Sequence, residues 1–211
     1  MSKIILVGGP PRSGKTTLAR KISKEENIPW ISTDAFDDIA KEYVSKVELD
    51  DLFPKTELRR KSGGGNDEMY AAFSTEEITD AYLKQAETIH SAVESFILCA
   101  NTEGWDYVIE GYHITPKLIA KLQAEYKNIS SVILVNTAGE EAIERSKQSD
   151  TKQDWLRDRT KNEKTFQKVA EMIGLFSQKL IEEAGGVDVK VIDMSGDFQV
   201  KFDEAFDYLR Q

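Results

Sequence analysis

Cysteine is nearly absent. Cys99 is the single one among 211 residues, so no internal disulfide can form and an apolar core must hold the fold. It falls in a stretch of helical pattern, where a buried structural thiol is expected rather than a reactive one. Positive charge is in deficit, with 28 Lys and Arg against 37 Asp and Glu and a formal charge of −9. That balance argues against a sequence-independent grip on DNA or RNA, which needs a basic surface. Long apolar runs are missing as well. No stretch approaches the ~20 residues that span a bilayer, and no charged leader with an apolar centre precedes the first strand. A cytoplasmic chain with no membrane partner is therefore the expectation. Repeats and low-complexity linkers are lacking, and arginine is sparse, at eight positions.

What is present fits one α/β domain over residues 1–211, with 40% hydrophobic residues available for its core. Five short apolar runs, 3–8, 28–32, 105–110, 130–136 and 188–193, alternate with helical patterns. Such alternation predicts a parallel five-stranded sheet with helices on both faces. Ser74-Thr75-Glu76-Glu77 reads as a capping box opening a long helix, and Thr137 with Glu140 repeats the pattern. Thr115-Pro116 reads as an N-cap followed by proline at the first helical position. Two segments interrupt the pattern. Residues 50–73 join Arg59-Arg60-Lys61 to a hinge-like Ser62-Gly63-Gly64-Gly65 turn, and residues 145–164 are almost wholly polar. Five of the eight arginines lie in these two segments. Ligands of open α/β sheets bind outside the carboxyl ends of the strands. A cover over an acceptor at 50–73 and a lid at 145–164 are the expectation.

One motif is complete: Gly9-Pro10-Pro11-Arg12-Ser13-Gly14-Lys15-Thr16 has the form G-x-x-x-x-G-K-[ST] of a phosphate-binding P-loop. It follows an apolar run, Lys3-Ile4-Ile5-Leu6-Val7, and opens a helical pattern with Leu18 and Ile22 one turn apart. Strand, glycine loop and helix form the context that such a loop requires. The fold expected is thus a three-layer P-loop NTPase fold with a small lid insertion. Residues 9–17, through Thr17, are the expected nucleotide contacts. Amide N–H groups from about Ser13 to Thr17 would cradle the β-phosphate at the helix N-terminus. Gly14 permits close approach, Lys15 reaches the outer phosphates, and the Thr16 hydroxyl would ligate Mg²⁺ beside ATP.

Two strand ends supply acids. Trp30-Ile31-Ser32-Thr33-Asp34 puts Asp34 near the γ-phosphate, either as general base and hydroxyl orienter or as a helix N-cap. Trp105 to Gly111 ends in Glu110, a candidate for the metal's coordination sphere. His113, in the same loop, is either an anion or proton contact or a packing residue. Guanidinium groups suit phosphate and carboxylate oxygens, so Arg59, Arg60, Arg145 and Arg159 are candidate acceptor contacts and Arg157 a candidate catalytic cation. Arg157 and Arg159 are two apart, so at most one points into the site if the segment is helical. Ser195-Gly196-Asp197 is where an adenine-contacting loop would fall.

The stretch Val108-Ile109-Glu110-Gly111-Tyr112-His113-Ile114-Thr115-Pro116 resembles the E-G-x-H-x-x-P segment of 2-phosphoglycerate kinases. Ser32-Thr33-Asp34 is similar to that family's S-T-D segment. With the P-loop, the resemblance covers the first two-thirds of the chain. It implies an adenylate-kinase-like sheet, ATP as donor, a small anionic acceptor, and Asp34, Glu110 and His113 as site residues. Pro10-Pro11-Arg12 departs from the family's loop, and the chain is short for it. A nucleoside or nucleotide kinase, a zeta-toxin- or chloramphenicol-phosphotransferase-like kinase and a non-catalytic ATP-binding module share these features. A GTPase switch is disfavoured, because Thr151-Lys152-Gln153-Asp154 follows polar residues instead of a strand. A small-molecule kinase acting as a monomer or homodimer is the reading carried forward.

Overall fold

The computed structural model describes residues 2–148 and 154–210. Five strands form one parallel sheet: β1 (Ile4–Gly8), β2 (Trp30–Ser32), β3 (Tyr107–Gly111), β4 (Ile129–Val135) and β5 (Val191–Asp193), in the order β2-β3-β1-β4-β5. The expected fold class and strand count hold. Every residue of β1 is buried, as a central strand covered on both faces must be.

The helices in chain order are α1 (Lys15–Glu26), α2 (Thr33–Lys41), α3 (Lys46–Leu52), α4 (Pro54–Lys61), α5 (Asn66–Ala72), α6 (Thr75–Glu103), α7 (Pro116–Glu125), α8 (Gly139–Lys147), α9 (Trp155–Arg159), α10 (Glu163–Ala184) and α11 (Phe198–Leu209). Alternation along the strands divides the core. Ile4, Leu6 and Ile109 face the layer that holds α6, α7, α8 and α10, whereas Ile5, Val7 and Val108 face α1 and α11. Glu110 shares the second side with Val108, which turns its carboxylate toward α1.

Local signals explain most boundaries. The Ser74 capping box closes at both ends, and Thr115 accepts from Leu118 N–H ahead of Pro116. The second expected box does not form: α8 has Ala138 at its N-cap, and the Thr137 hydroxyl bonds the Asp193 carboxylate instead. Residues 50–73 are not an irregular insertion but mostly helix, with α4 and α5 joined through the glycine turn. Within 145–164, α8 ends, α9 forms and α10 begins. Residues 149–153, including three of the four in the GTPase-like tetrapeptide, lie outside the described residues. Cys99 is exposed on the outer face of α6, contrary to expectation. Among the described residues no helix is long and apolar enough to cross a membrane.

Candidate active site

Sheet register assembles the site. Val7 of β1 and Ser32 of β2 both pair with Glu110 of β3, so the P-loop and Asp34 emerge on either side of Glu110. Neighbouring strands lie roughly 4.8 Å apart, which places all three within one small opening. A cleft of about 770 Å³ occupies that opening. Pro11, Arg12, Gly14, Lys15, Thr16 and Thr17 line it, together with Asp34 and Glu110.

Gly9, Pro10 and Ser13 form the back of the loop. Gly9 has φ 136°, and a Cβ there would lie 1.9 Å from the Leu134 carbonyl oxygen, so only glycine fits against β4. Ser13 Oγ donates to the Pro10 carbonyl at 3.0 Å, and Lys15 Nζ donates to the same oxygen at 2.6 Å. The prolines that cost the loop two donors therefore supply an acceptor that parks the lysine. Burial pushes the Lys15 ammonium below its ordinary value, against the pull of Glu110 and Asp34. Burial likewise pushes the Glu110 carboxyl up, opposed by Lys15. Each charge is costly alone and tolerable beside the other.

Thr16 Oγ1 donates to Glu110 Oε1 at 3.1 Å. Mg²⁺ prefers oxygen ligands and usually takes one or two from protein and the rest from water and phosphate. Among the described residues no three His, Cys, Asp or Glu side chains gather to hold a metal by themselves. The Thr16–Glu110 pair fits the partial donor set that Mg²⁺ with phosphates requires. Asp34 is not the cap of α2. Ser32 takes that role, accepting from Asp34 N–H at 3.3 Å, and so the Asp34 carboxylate is left to the cleft.

His113 lies off the cleft. It is fully buried, its Nδ1 lies 2.7 Å from Thr33 Oγ1, and its ring stacks on Tyr112, so it does not reach the cleft. Arg60 is also off the cleft: its guanidinium pairs in a bidentate manner with the buried Glu57 of the same helix. Arg157 does not line the cleft either, and its Nε lies 3.7 Å from Asp158. Arg159, two residues on, does line it, as helical spacing demands. Arg59 and Arg145 reach the cleft as expected.

Several lining residues carried no motif. Lys41 closes α2, Lys55 and Thr56 open α4, and Tyr82 and Tyr112 supply aromatic rings. Helical spacing was the available signal: Lys55 and Arg59 lie one turn apart, once 50–73 is recognised as helix. Phe198 opens α11 beside Gly14, with the Arg145 guanidinium 5.0 Å from its ring centroid. The cleft wall near the adenine-loop expectation is thus Phe198, the residue after Ser195-Gly196-Asp197. Arg12 has a left-handed backbone, φ 66°, at a strain on the order of 1 kcal/mol. Its side chain pairs with the buried Asp154 carboxylate and lies 5.2 Å from the Trp155 ring centroid.

No protein-family model matches the chain. The sequence is similar to curated 2-phosphoglycerate kinases. The one from Methanococcus maripaludis is 30% identical over 143 residues, covering 64% of this chain and 42% of the relative. That from Methanothermobacter thermautotrophicus is 26% identical over 165 residues, covering 73% and 49%. The chain thus spans less than half the length of the curated relatives it matches. Among solved structures, shikimate kinase from Bacteroides thetaiotaomicron aligns over 99% of both chains at 14% identity and a TM-score of 0.49. A gluconokinase from Sinorhizobium meliloti aligns over 99% of this chain and 91% of its own, at 15% identity and a TM-score of 0.46.

Proposed function

We propose that this chain is a small-molecule kinase that moves the γ-phosphoryl group of Mg·ATP to a hydroxyl of a small anionic acceptor. The carrying observation is a single cleft that holds Lys15, Thr16, Glu110 and Asp34 with the cations Lys55, Arg59 and Arg159 around it. 2-Phosphoglycerate is the first acceptor to test, on the strength of the sequence relatives.

In this reading the loop amides and Lys15 hold the donor phosphates, Lys15 leaving the Pro10 carbonyl to do so. Thr16 and Glu110 hold Mg²⁺, which supplies charge neutralisation on the phosphate oxygens. Asp34 accepts the proton of the acceptor hydroxyl as its oxygen bonds to phosphorus and the bond to the ADP oxygen breaks. Arg12, Arg145 and Arg159 neutralise charge on the transferring group, and Arg159 takes the part that the sequence assigned to Arg157. Covering helices keep water from competing as acceptor.

The test is incubation with Mg·ATP and a panel of 2-phosphoglycerate, other hydroxy acids, nucleosides and nucleotides, with ADP release and product both measured. Lys15→Ala is expected to abolish transfer. Asp34→Asn is expected to lower turnover by about a hundredfold or more while ATP affinity stays within about twofold. Full turnover in Asp34→Asn removes the base role. Tight ATP binding without transfer to any acceptor identifies a non-catalytic module instead.

A further inference from the structure

Charge on α4 is sorted by face. Away from the cleft Arg60 pairs with the buried Glu57, and Lys61 lies 3.5 Å from Glu57 and 3.8 Å from Asp50. On the cleft side Lys55 and Arg59 have no carboxylate partner among the described residues. The Lys55 ammonium instead lies 5.2 Å and 5.7 Å from the ring centroids of Tyr82 and Tyr112. Two cations one helical turn apart therefore face the cleft unneutralised, with Thr56 beside them.

Thr56 is held by a buried hub. Gln85, on α6, is fully buried. Its Oε1 accepts from Thr56 N–H at 3.1 Å, which fixes the orientation of the amide. Nε2 donates to Asp37 Oδ1 at 2.8 Å, and lies 3.3 Å from both Thr56 Oγ1 and the Tyr112 hydroxyl oxygen. A threonine hydroxyl has one proton to give and lone pairs to accept with. One N–H of Gln85 goes to Asp37 and the other is shared between Thr56 Oγ1 and the Tyr112 hydroxyl oxygen, so Thr56 Oγ1 meets Gln85 as an acceptor, and no protein group takes its proton among the described residues. The O–H is left to donate into the cleft.

We infer that Thr56, oriented by Gln85, donates its hydroxyl proton to an anionic oxygen of the acceptor between Lys55 and Arg59, and that Gln85 is the positioning residue of this subsite. The inference rests on the cleft being the acceptor site, and it adds the group that reads the anion's geometry, since two flexible cations supply attraction without fixing an orientation. Charge matching favours a phosphate dianion as the occupant, two cations facing about two negative charges.

The test uses the whole chain with its P-loop filled by a saturating nonhydrolysable Mg·ATP analogue, and inorganic phosphate as the probe, titrated by calorimetry. Thr56→Val, which keeps shape and removes the donor, is expected to weaken phosphate binding about tenfold or more, a charge-assisted hydrogen bond being lost. Thr56→Ser restores the hydroxyl and is expected to bind within about twofold of the parent. Gln85→Met is expected to follow Thr56→Val, with affinity for the ATP analogue held within about twofold as the sign that the fold is intact. Lys61→Ala, on the outer face, is expected to change nothing. Parental phosphate affinity in Thr56→Val, or no phosphate binding by the parent, overturns the inference. Parental affinity in Gln85→Met overturns the positioning role. A parent that binds phosphate through Thr56 yet transfers nothing to any acceptor defeats the kinase reading, and with it the acceptor role, and leaves Thr56 and Gln85 as an anion subsite.

Discussion

At the scale of single residues, burial sets the chemistry of both histidines. His113 is fully buried and His90 half-buried, and burial holds each ring below its ordinary pKa of 6.5. The unfolded chain therefore takes up protons at a higher pH than the folded chain does. Where the unfolded state binds more protons, acid favours unfolding. Stability should fall from pH 7.5 to 5.5, by at most about 1.4 kcal/mol per pH unit for His113 once its unfolded form is protonated. Thermal melts of the parent and of a His90→Gln, His113→Asn double variant check this. The double variant's melting temperature should vary less across that window, whatever its absolute value, and an equal slope would count against neutral histidines. The acids at the strand ends were legible because a carboxylate leaving a buried parallel strand has few places to go. His113 was not. Its loop position suited a ligand contact as well as it suited packing, and only the Thr33 hydroxyl and the Tyr112 ring decide between them.

At the scale of elements, signals confined to a few residues were readable and signals that depend on docking were not. Ser74 with Glu77, and Thr115 with Pro116, fix their helix starts by contacts within one turn. The Thr137 cap failed because Asp193 at the end of β5 competes for the same hydroxyl, a partner 56 residues away. α4 was hidden because its cleft face is polar and cationic, so no apolar stripe marks it. It becomes a wall of the site only where Gln85 and Thr88 of α6 bond it and its approach. Cys99 was misplaced for the converse reason: α6 is apolar enough on one side that its outward face is easily assigned inward. Packing between elements can be tested at glycines. A Cβ at Gly139, where α8 begins, would lie 2.0 Å from the Ala170 carbonyl oxygen of α10. Gly139→Ala should therefore destabilise the fold by about 1–3 kcal/mol, because backbone and not a flexible side chain must move. At Gly174, inside α10, the nearest atom would be 3.7 Å away, and alanine is the better helix former. Gly174→Ala should be neutral or raise the unfolding free energy from urea melts by up to about 1 kcal/mol. Equal losses at both sites would mean that propensity, not the α8–α10 crossing, sets the cost.

At the scale of the molecule, residues 50–73 and 145–164, which the sequence presents as separate segments, are joined by hydrogen bonds among their described residues. Asn66, opening α5, donates to the Trp155 carbonyl at 3.2 Å and to Thr160 Oγ1 at 3.0 Å. Asp67 accepts from Lys161 N–H at 2.9 Å and Asn162 N–H at 3.3 Å. Asp154, which caps α9, holds Arg12 of the P-loop and accepts from Ser146 Oγ at 3.1 Å. Burial alone would raise the Asp154 carboxyl. Bonds from Arg157 N–H and Arg12 outweigh it and keep the group below its ordinary value, ionised and able to hold the arginine. A continuous polar path therefore runs from the P-loop through α9 to α5 and so to the turn that follows α4. The bonds that join the segments, from Asn66, Asp67 and Arg12, have no motif, because each links residues about ninety or more positions apart. Segments with few bonds to the body open locally while the core stays closed, and a shared set of bonds makes them open together. Hydrogen exchange can read this. With Asn66 and Asp67 both replaced by alanine, amides of α5 and α9 should exchange faster by a similar factor, while those of β1 and β4 keep the parent's protection. Filling the P-loop with a nonhydrolysable Mg·ATP analogue should slow exchange in α9 in the parent and, through the Asn66 and Asp67 bonds, in α5 as well. In the double variant the analogue should still protect α9, which retains Arg12 and Asp154, and should no longer protect α5. Protection of α5 that survives the double substitution would show that the two segments answer the nucleotide independently.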